Sequence, residues 1–121
     1  MQQTIKAIQE ANEYDGPAII IAYAPCIAHG INGGMENSLD QSELATKCGY
    51  FPIFRNHPET GFTLDSKKVD FELYDEFLNS QRRYSMLKSV NPEMAERLLI
   101  ENKDYAKVSF SYYESLANKG E

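Results

Sequence analysis

The run Ala18-Ile19-Ile20-Ile21-Ala22, inside the stretch AIIIAYAPCIAHGI at residues 18–31, constrains this chain more than any other feature. It shows no alternation of apolar and polar residues, and a strand of that kind is buried on both faces, as in a parallel sheet covered by helices. A buried strand needs paired neighbours, yet the one other stretch that reads as a strand is YFPIFR at residues 50–55. The pattern predicts an α/β chain that lacks most of its own sheet.

Upstream, Ile5, Ile8, Ala11 and Tyr14 recur at helical spacing, and Asp15-Gly16-Pro17 stops the helix. A helix, a short turn and a buried strand make the second half of a strand-helix-strand crossover whose first strand is absent. The expectation is therefore the tail of a larger polypeptide.

Downstream, His29-Gly30 and Asn32-Gly33-Gly34 form a glycine-rich bend. Residues 38–48 read as a helix capped by Ser38 or Asp40, with Leu39, Leu44 and Ala45 facing inward and Gly49 ending it. After the strand at 50–55, residues 56–68 are dense in Pro, Gly and Asp and predict a surface loop. Residues 70–79 predict a helix with Phe71, Tyr74, Phe77 and Leu78 on one face. A second helix starts at Asn91-Pro92-Glu93, a cap followed by proline at the first helical position. Met94, Leu98, Ile100 or Glu101, Tyr105, Val108, Tyr112 and Leu116 then give an amphipathic helix of about seven turns. Phe110 and Tyr113 fit a packed stripe better than an aromatic binding face. The character of the chain changes near Lys68, so residues 1–68 and 69–121 are expected to be distinct segments, the second helical.

A formal net charge of -6, with cationic pairs only at Lys67-Lys68 and Arg82-Arg83, argues against nucleic acid as a partner, since phosphate binding needs a basic surface. The longest apolar stretch is too short to span a bilayer. The first residues pattern as an amphipathic helix, not as a basic segment followed by an apolar core, so the expected location is cytoplasmic. Two cysteines are too few for a disulfide framework, and Cys48, at helical spacing from Leu44 and Ala45, reads as a small buried apolar residue.

Cys26 closes the apolar run and admits three readings: an inert buried thiol, a metal ligand or a nucleophile. A nucleophile needs a base within reach, and His29 is the one candidate nearby. A redox dithiol would want a second cysteine where His29 stands. One cysteine and one histidine cannot complete a zinc site or an iron-sulfur cluster, although a lone ligand at a strand end makes sense if its companions lie upstream.

The run GPAIIIAYAPCIAHGINGGM, then LATKCGYFPIFRNHP, FTLDSKK and EFLNSQRRYSML, in order and over nearly the whole chain, resembles the carboxyl-terminal end of pyruvate:ferredoxin oxidoreductase, the pyruvate synthase of anaerobes. The resemblance implies a thiamine-diphosphate enzyme that oxidatively decarboxylates pyruvate with coenzyme A to acetyl-CoA, passing electrons through [4Fe-4S] clusters to ferredoxin or flavodoxin. It implies the end of a thiamine-diphosphate-binding-type domain with a mainly parallel sheet at residues 1–68, followed by helices. It also implies that Cys26 is the last of four ligands to the cluster nearest the thiamine. The other ligands and the thiamine diphosphate and magnesium site would then lie in the remainder of the polypeptide, the parent enzyme would be a homodimer, and the chain alone would be inactive. Thiolates suit iron-sulfur clusters, and the amides of residues 27–30 are expected to donate to cluster sulfurs. His29, Tyr50, Arg55 and Asp65 receive no role in the site, an Asp65–Arg55 ion pair being one expectation. Two other classes stay open: a stand-alone interaction module built on the long helix, and a Cys26-His29 nucleophile enzyme.

Overall fold

The long carboxyl-terminal helix organises the molecule. In the computed structural model, which describes residues 2–118, it is α5 (Pro92–Asn118), and the side chain of Asn91 caps it by accepting from the Met94 N–H at 3.1 Å, as the Asn-Pro-Glu start predicts. Before it come α1 (Gln2–Glu13), α2 (Ser38–Lys47), the strands β1 (Phe54–His57) and β2 (Gly61–Leu64), and the short helices α3 (Tyr74–Ser80) and α4 (Arg82–Val90). The chain is thus a mixed α/β fold in which helices dominate.

The expected buried strand at residues 18–22 does not form: the run makes no ladder among the described residues, and Ile19 and Ile21 are 88% and 75% exposed. A strand is held by backbone bonds to a neighbour, and no neighbour is present among the described residues. The sheet found there is instead a two-stranded antiparallel hairpin, β1 with β2, in the register Phe54↔Leu64 to His57↔Gly61. The strand expected at 50–55 is displaced to Phe54–His57, and the expected surface loop supplies its partner. The alternation of Phe62 and Leu64 about Thr63 suits a half-buried strand, and Gly61, at φ 76°, closes the turn in the left-handed region.

Two helix details also differ. Asn37 precedes α2 and makes no side-chain cap, while Leu39 points outward and Ala45 is the fully buried residue of that helix. The expected helix at 70–79 forms as a 3-10 turn, Phe71–Leu73, running into α3, with Asp70 accepting from the Glu72 N–H at 3.0 Å. Helix α4 has no counterpart in the sequence reading.

Ala45, Cys48, Tyr74, Phe77, Leu78 and Ala106 form the core, with Tyr23, Tyr50, Phe51, Tyr84 and Leu99 packed on it. Cys48 is fully buried, as expected, and burial pushes its thiol up to about 11. On α5 the middle of the stripe named from the sequence faces away, Tyr105 being 72% and Val108 69% exposed, while its ends Met94 and Leu116 are half-buried and Ala106 and Phe110 are buried. Phe110 meets Phe71 edge-on at 6.0 Å, and Tyr113 stacks on Phe54 at 5.2 Å, so both serve packing.

Candidate functional site

Cys26 lies on a tight turn. The Gly30 N–H donates to the Cys26 carbonyl at 2.8 Å, and Gly30, at φ 77°, reverses the chain where a side chain would be strained. Inside this turn the His29 Nδ1 comes to 3.1 Å from the Cys26 Sγ. The thiol is lowered to about 7 by the His29 backbone N–H first, then by the His29 ring and the Ala28 N–H, all of which hydrogen-bond the sulfur and favour the thiolate. The Ala28 and His29 N–H groups thus face the Cys26 sulfur itself, while Gly30 spends its N–H on the turn and has none left for a cluster sulfur.

Two anchors hold this turn on the body. Three residues upstream, Tyr23 inserts its ring among Tyr50, Phe51 and Phe77, with centroids 5.9, 5.7 and 6.2 Å away, leaving its hydroxyl buried without a hydrogen-bond partner. Downstream, Ile31 is buried and forms an isolated antiparallel bridge to Gln81.

The other motif residues lie elsewhere. Arg55 joins the Glu10 carboxylate of α1 to Asp65 beyond β2, so the expected Asp65–Arg55 pair is present and acts as a tether. Tyr50 shares a 2.9 Å hydrogen bond with the Tyr84 hydroxyl and accepts another from Arg83 at 3.1 Å. A groove of about 690 Å³ between α4 and α5, lined by Tyr84, Leu87, Leu99 and Tyr105, does not include Cys26. His29, the one base that the sequence offered beside Cys26 although it received no role in the cluster site, is brought onto the sulfur by the turn, as its spacing of three allows.

Among the described residues no three His, Cys, Asp or Glu side chains are grouped to hold a metal ion. What the chain offers such a group is one soft donor, poised as a thiolate and with two amide N–H groups and an imidazole on its sulfur. That donor chemistry fits one corner of a thiolate-bound cluster whose other ligands come from outside these residues.

No family model matches the chain. Curated relatives do, and by name they are oxidoreductases acting on pyruvate. The chain is 41% identical to pyruvate:ferredoxin oxidoreductase of Moorella thermoacetica over 95% of its residues, and 41% identical to pyruvate-flavodoxin oxidoreductase of Enterobacter agglomerans over 96%. It is 39% identical to the mitochondrial pyruvate dehydrogenase [NADP(+)] of Euglena gracilis over 96%. It spans 10%, 10% and 7% of those relatives' lengths. The chain is homologous, over nearly all its residues, to a segment of the pyruvate:ferredoxin and pyruvate-flavodoxin oxidoreductases.

Proposed function

We propose that this chain works as part of an oxidoreductase that converts pyruvate and coenzyme A to acetyl-CoA and CO2 and passes the electrons released to ferredoxin or flavodoxin, with Cys26 as one ligand of a [4Fe-4S] cluster. The observation that carries the reading is the presentation of Cys26: a thiol biased to thiolate, on a fixed turn, at the end of an apolar run that the chain itself leaves uncovered. When bound, the cluster supplies one-electron transfer. Cys26 contributes a thiolate, and the Ala28 and His29 N–H groups stabilise negative charge on its sulfur, an arrangement that tunes a cluster's potential.

In this reading residues 18–22 become a strand of a mainly parallel sheet supplied by the remainder of a thiamine-diphosphate-binding-type domain. Residues 1–68 close that domain and residues 69–121 form the helical segment behind it. The isolated chain is then inactive, the thiamine diphosphate and magnesium belong to the remainder, and the working assembly is a cytoplasmic homodimer. No helix among the described residues is long and apolar enough to cross a membrane.

The test is Cys26→Ala in the oxidoreductase as purified anaerobically from its host. The expected result is loss of one cluster's iron together with pyruvate-dependent reduction of ferredoxin or flavodoxin. A variant with its full iron content would reject the assignment.

A second reading, a Cys26-His29 nucleophile, draws support from the 3.1 Å contact and the thiol lowered to about 7. It lacks an orienting partner on the other His29 nitrogen among the described residues, and His29 is exposed. Acyl or alkyl transfer by the chain, abolished in Cys26→Ala and in His29→Ala, would establish it; slow alkylation of Cys26 at neutral pH would remove it.

A further inference from the structure

Helices α3 and α4 are separated by a break at Gln81, whose φ of -86° and ψ of 118° are extended, although no proline or glycine stands there. A helix break strands the last carbonyls of one helix and the first N–H groups of the next. Here the Cys26 turn takes them up. The Asn32 N–H donates to the Ser80 carbonyl at 2.8 Å, the Asn32 Nδ2 donates to the Asn79 carbonyl at 2.8 Å, and the Arg82 N–H donates to the Gly30 carbonyl at 3.3 Å. The bend is itself fixed: Gln81 is 2% exposed, its Nε2 donates to the Gln41 Oε1 of α2 at 3.1 Å, and the Ser80 hydroxyl donates to the same oxygen at 2.6 Å.

We propose that the α3–α4 bend is the positioning device for Cys26, with Asn32 and the Arg82 N–H as its positioning groups; this rests on the reading of Cys26 as a cluster ligand. A ligand carried on a loop is placed only as well as the groups that support it, and supporting hydrogen bonds hold both orientation and metal affinity. Tyr23 fixes the approach to the turn and the bend fixes its exit, so the sulfur has a defined place before any cluster is bound. The helical segment thereby contributes to the cluster site without lending it a ligand.

Arg82→Pro probes this cleanly. Arg82 is the first residue of α4, a position proline tolerates, and Gln81 already has the extended conformation preferred before proline. The substitution therefore deletes the N–H to Gly30 together with the exposed Arg82 side chain beside Gly30, and Arg82→Ala, which keeps the N–H, separates the two. Asn32→Ala, at an exposed position, deletes the side-chain bond to Asn79 independently. In the oxidoreductase purified anaerobically from its host, each variant is compared with the unsubstituted enzyme for chelator-driven iron release and for the electron paramagnetic resonance spectrum of the reduced clusters. The expected result is about tenfold faster iron release from one cluster and an altered signal, the lower end of what loss of such support brings. Release and spectrum unchanged in Asn32→Ala and Arg82→Pro would overturn the proposal. If Cys26→Ala removes a cluster in that case, the positioning role alone falls; if it removes none, the ligand assignment falls with it.

Discussion

Two regions of this molecule both carry large apolar side chains and fare oppositely. Between α2 and α5, Phe77, Leu78, Tyr74 and Ala106 are buried against one another, whereas Ile19 and Ile21 stand exposed and no residue of α1 is buried. Helices satisfy their backbone internally and need only a face to pack on, while a strand needs another strand. The helical half can therefore settle with what this chain contains, and the apolar run cannot.

The sharpest way to break that contrast is substitution in each region. Phe77→Ala, at a fully buried site in the aromatic cluster, should destabilise the chain by about 3–5 kcal/mol. Ile19→Ser in the isolated chain should change stability by less than about 0.5 kcal/mol, as at other exposed positions. Within the oxidoreductase the same Ile19→Ser should be costly, by roughly 1.5–3 kcal/mol if the side chain is buried there. Denaturant unfolding of each variant checks all three values.

The two cysteines sharpen it next. In the cluster-free chain, alkylation of Cys26 should rise through half its plateau near pH 7, because its thiol is lowered to about 7. Cys48, pushed up to about 11 and fully buried, should react only on unfolding. Mass spectrometry of peptides after timed alkylation separates the two.

A smaller effect concerns how α1 is held. Arg55 lowers the Glu10 carboxyl below its ordinary value, first through their hydrogen bond. The pair therefore contributes stability above the ordinary carboxylate range and loses it as pH falls through the lowered value. Protection factors in α1, taken relative to the intrinsic exchange rate at each pH, should fall on acidification and, at pH 7, in Arg55→Ala, with the helices around Phe77 unaffected. The smallest effect is at Tyr23, whose hydroxyl is buried without a partner. Tyr23→Phe should be neutral or stabilising by up to about 1 kcal/mol, since it removes an unsatisfied group.

How much the sequence revealed follows the same divide. The start of α5, the buried Cys48 and the inward face of α3 were legible because caps and short-range spacing are local. The inward side of α5 was not: Leu98, Tyr105, Val108 and Tyr112 recur at helical spacing as well as Ala106, Phe110 and Tyr113 do, and the hairpin, Phe71 and the core of α3 decide which stripe is covered. The hairpin was hidden by the turn residues around Pro58 and Thr60, which read as one long loop. Helix α4 was hidden because its break at Gln81 is made by tertiary hydrogen bonds, with no breaker residue to mark it. Cys26 was singled out from its place at the end of the apolar run, while the approach of His29 needed the turn itself.

Hydrogen exchange at residues 18–24, compared between the isolated chain and the oxidoreductase from the host, tests the central claim most directly. These amides should exchange freely in the isolated chain and be protected more than about a hundredfold in the intact enzyme, as strand amides in a buried sheet are. Free exchange of the same residues in the intact enzyme would contradict the account, since the apolar run would then find no sheet there either.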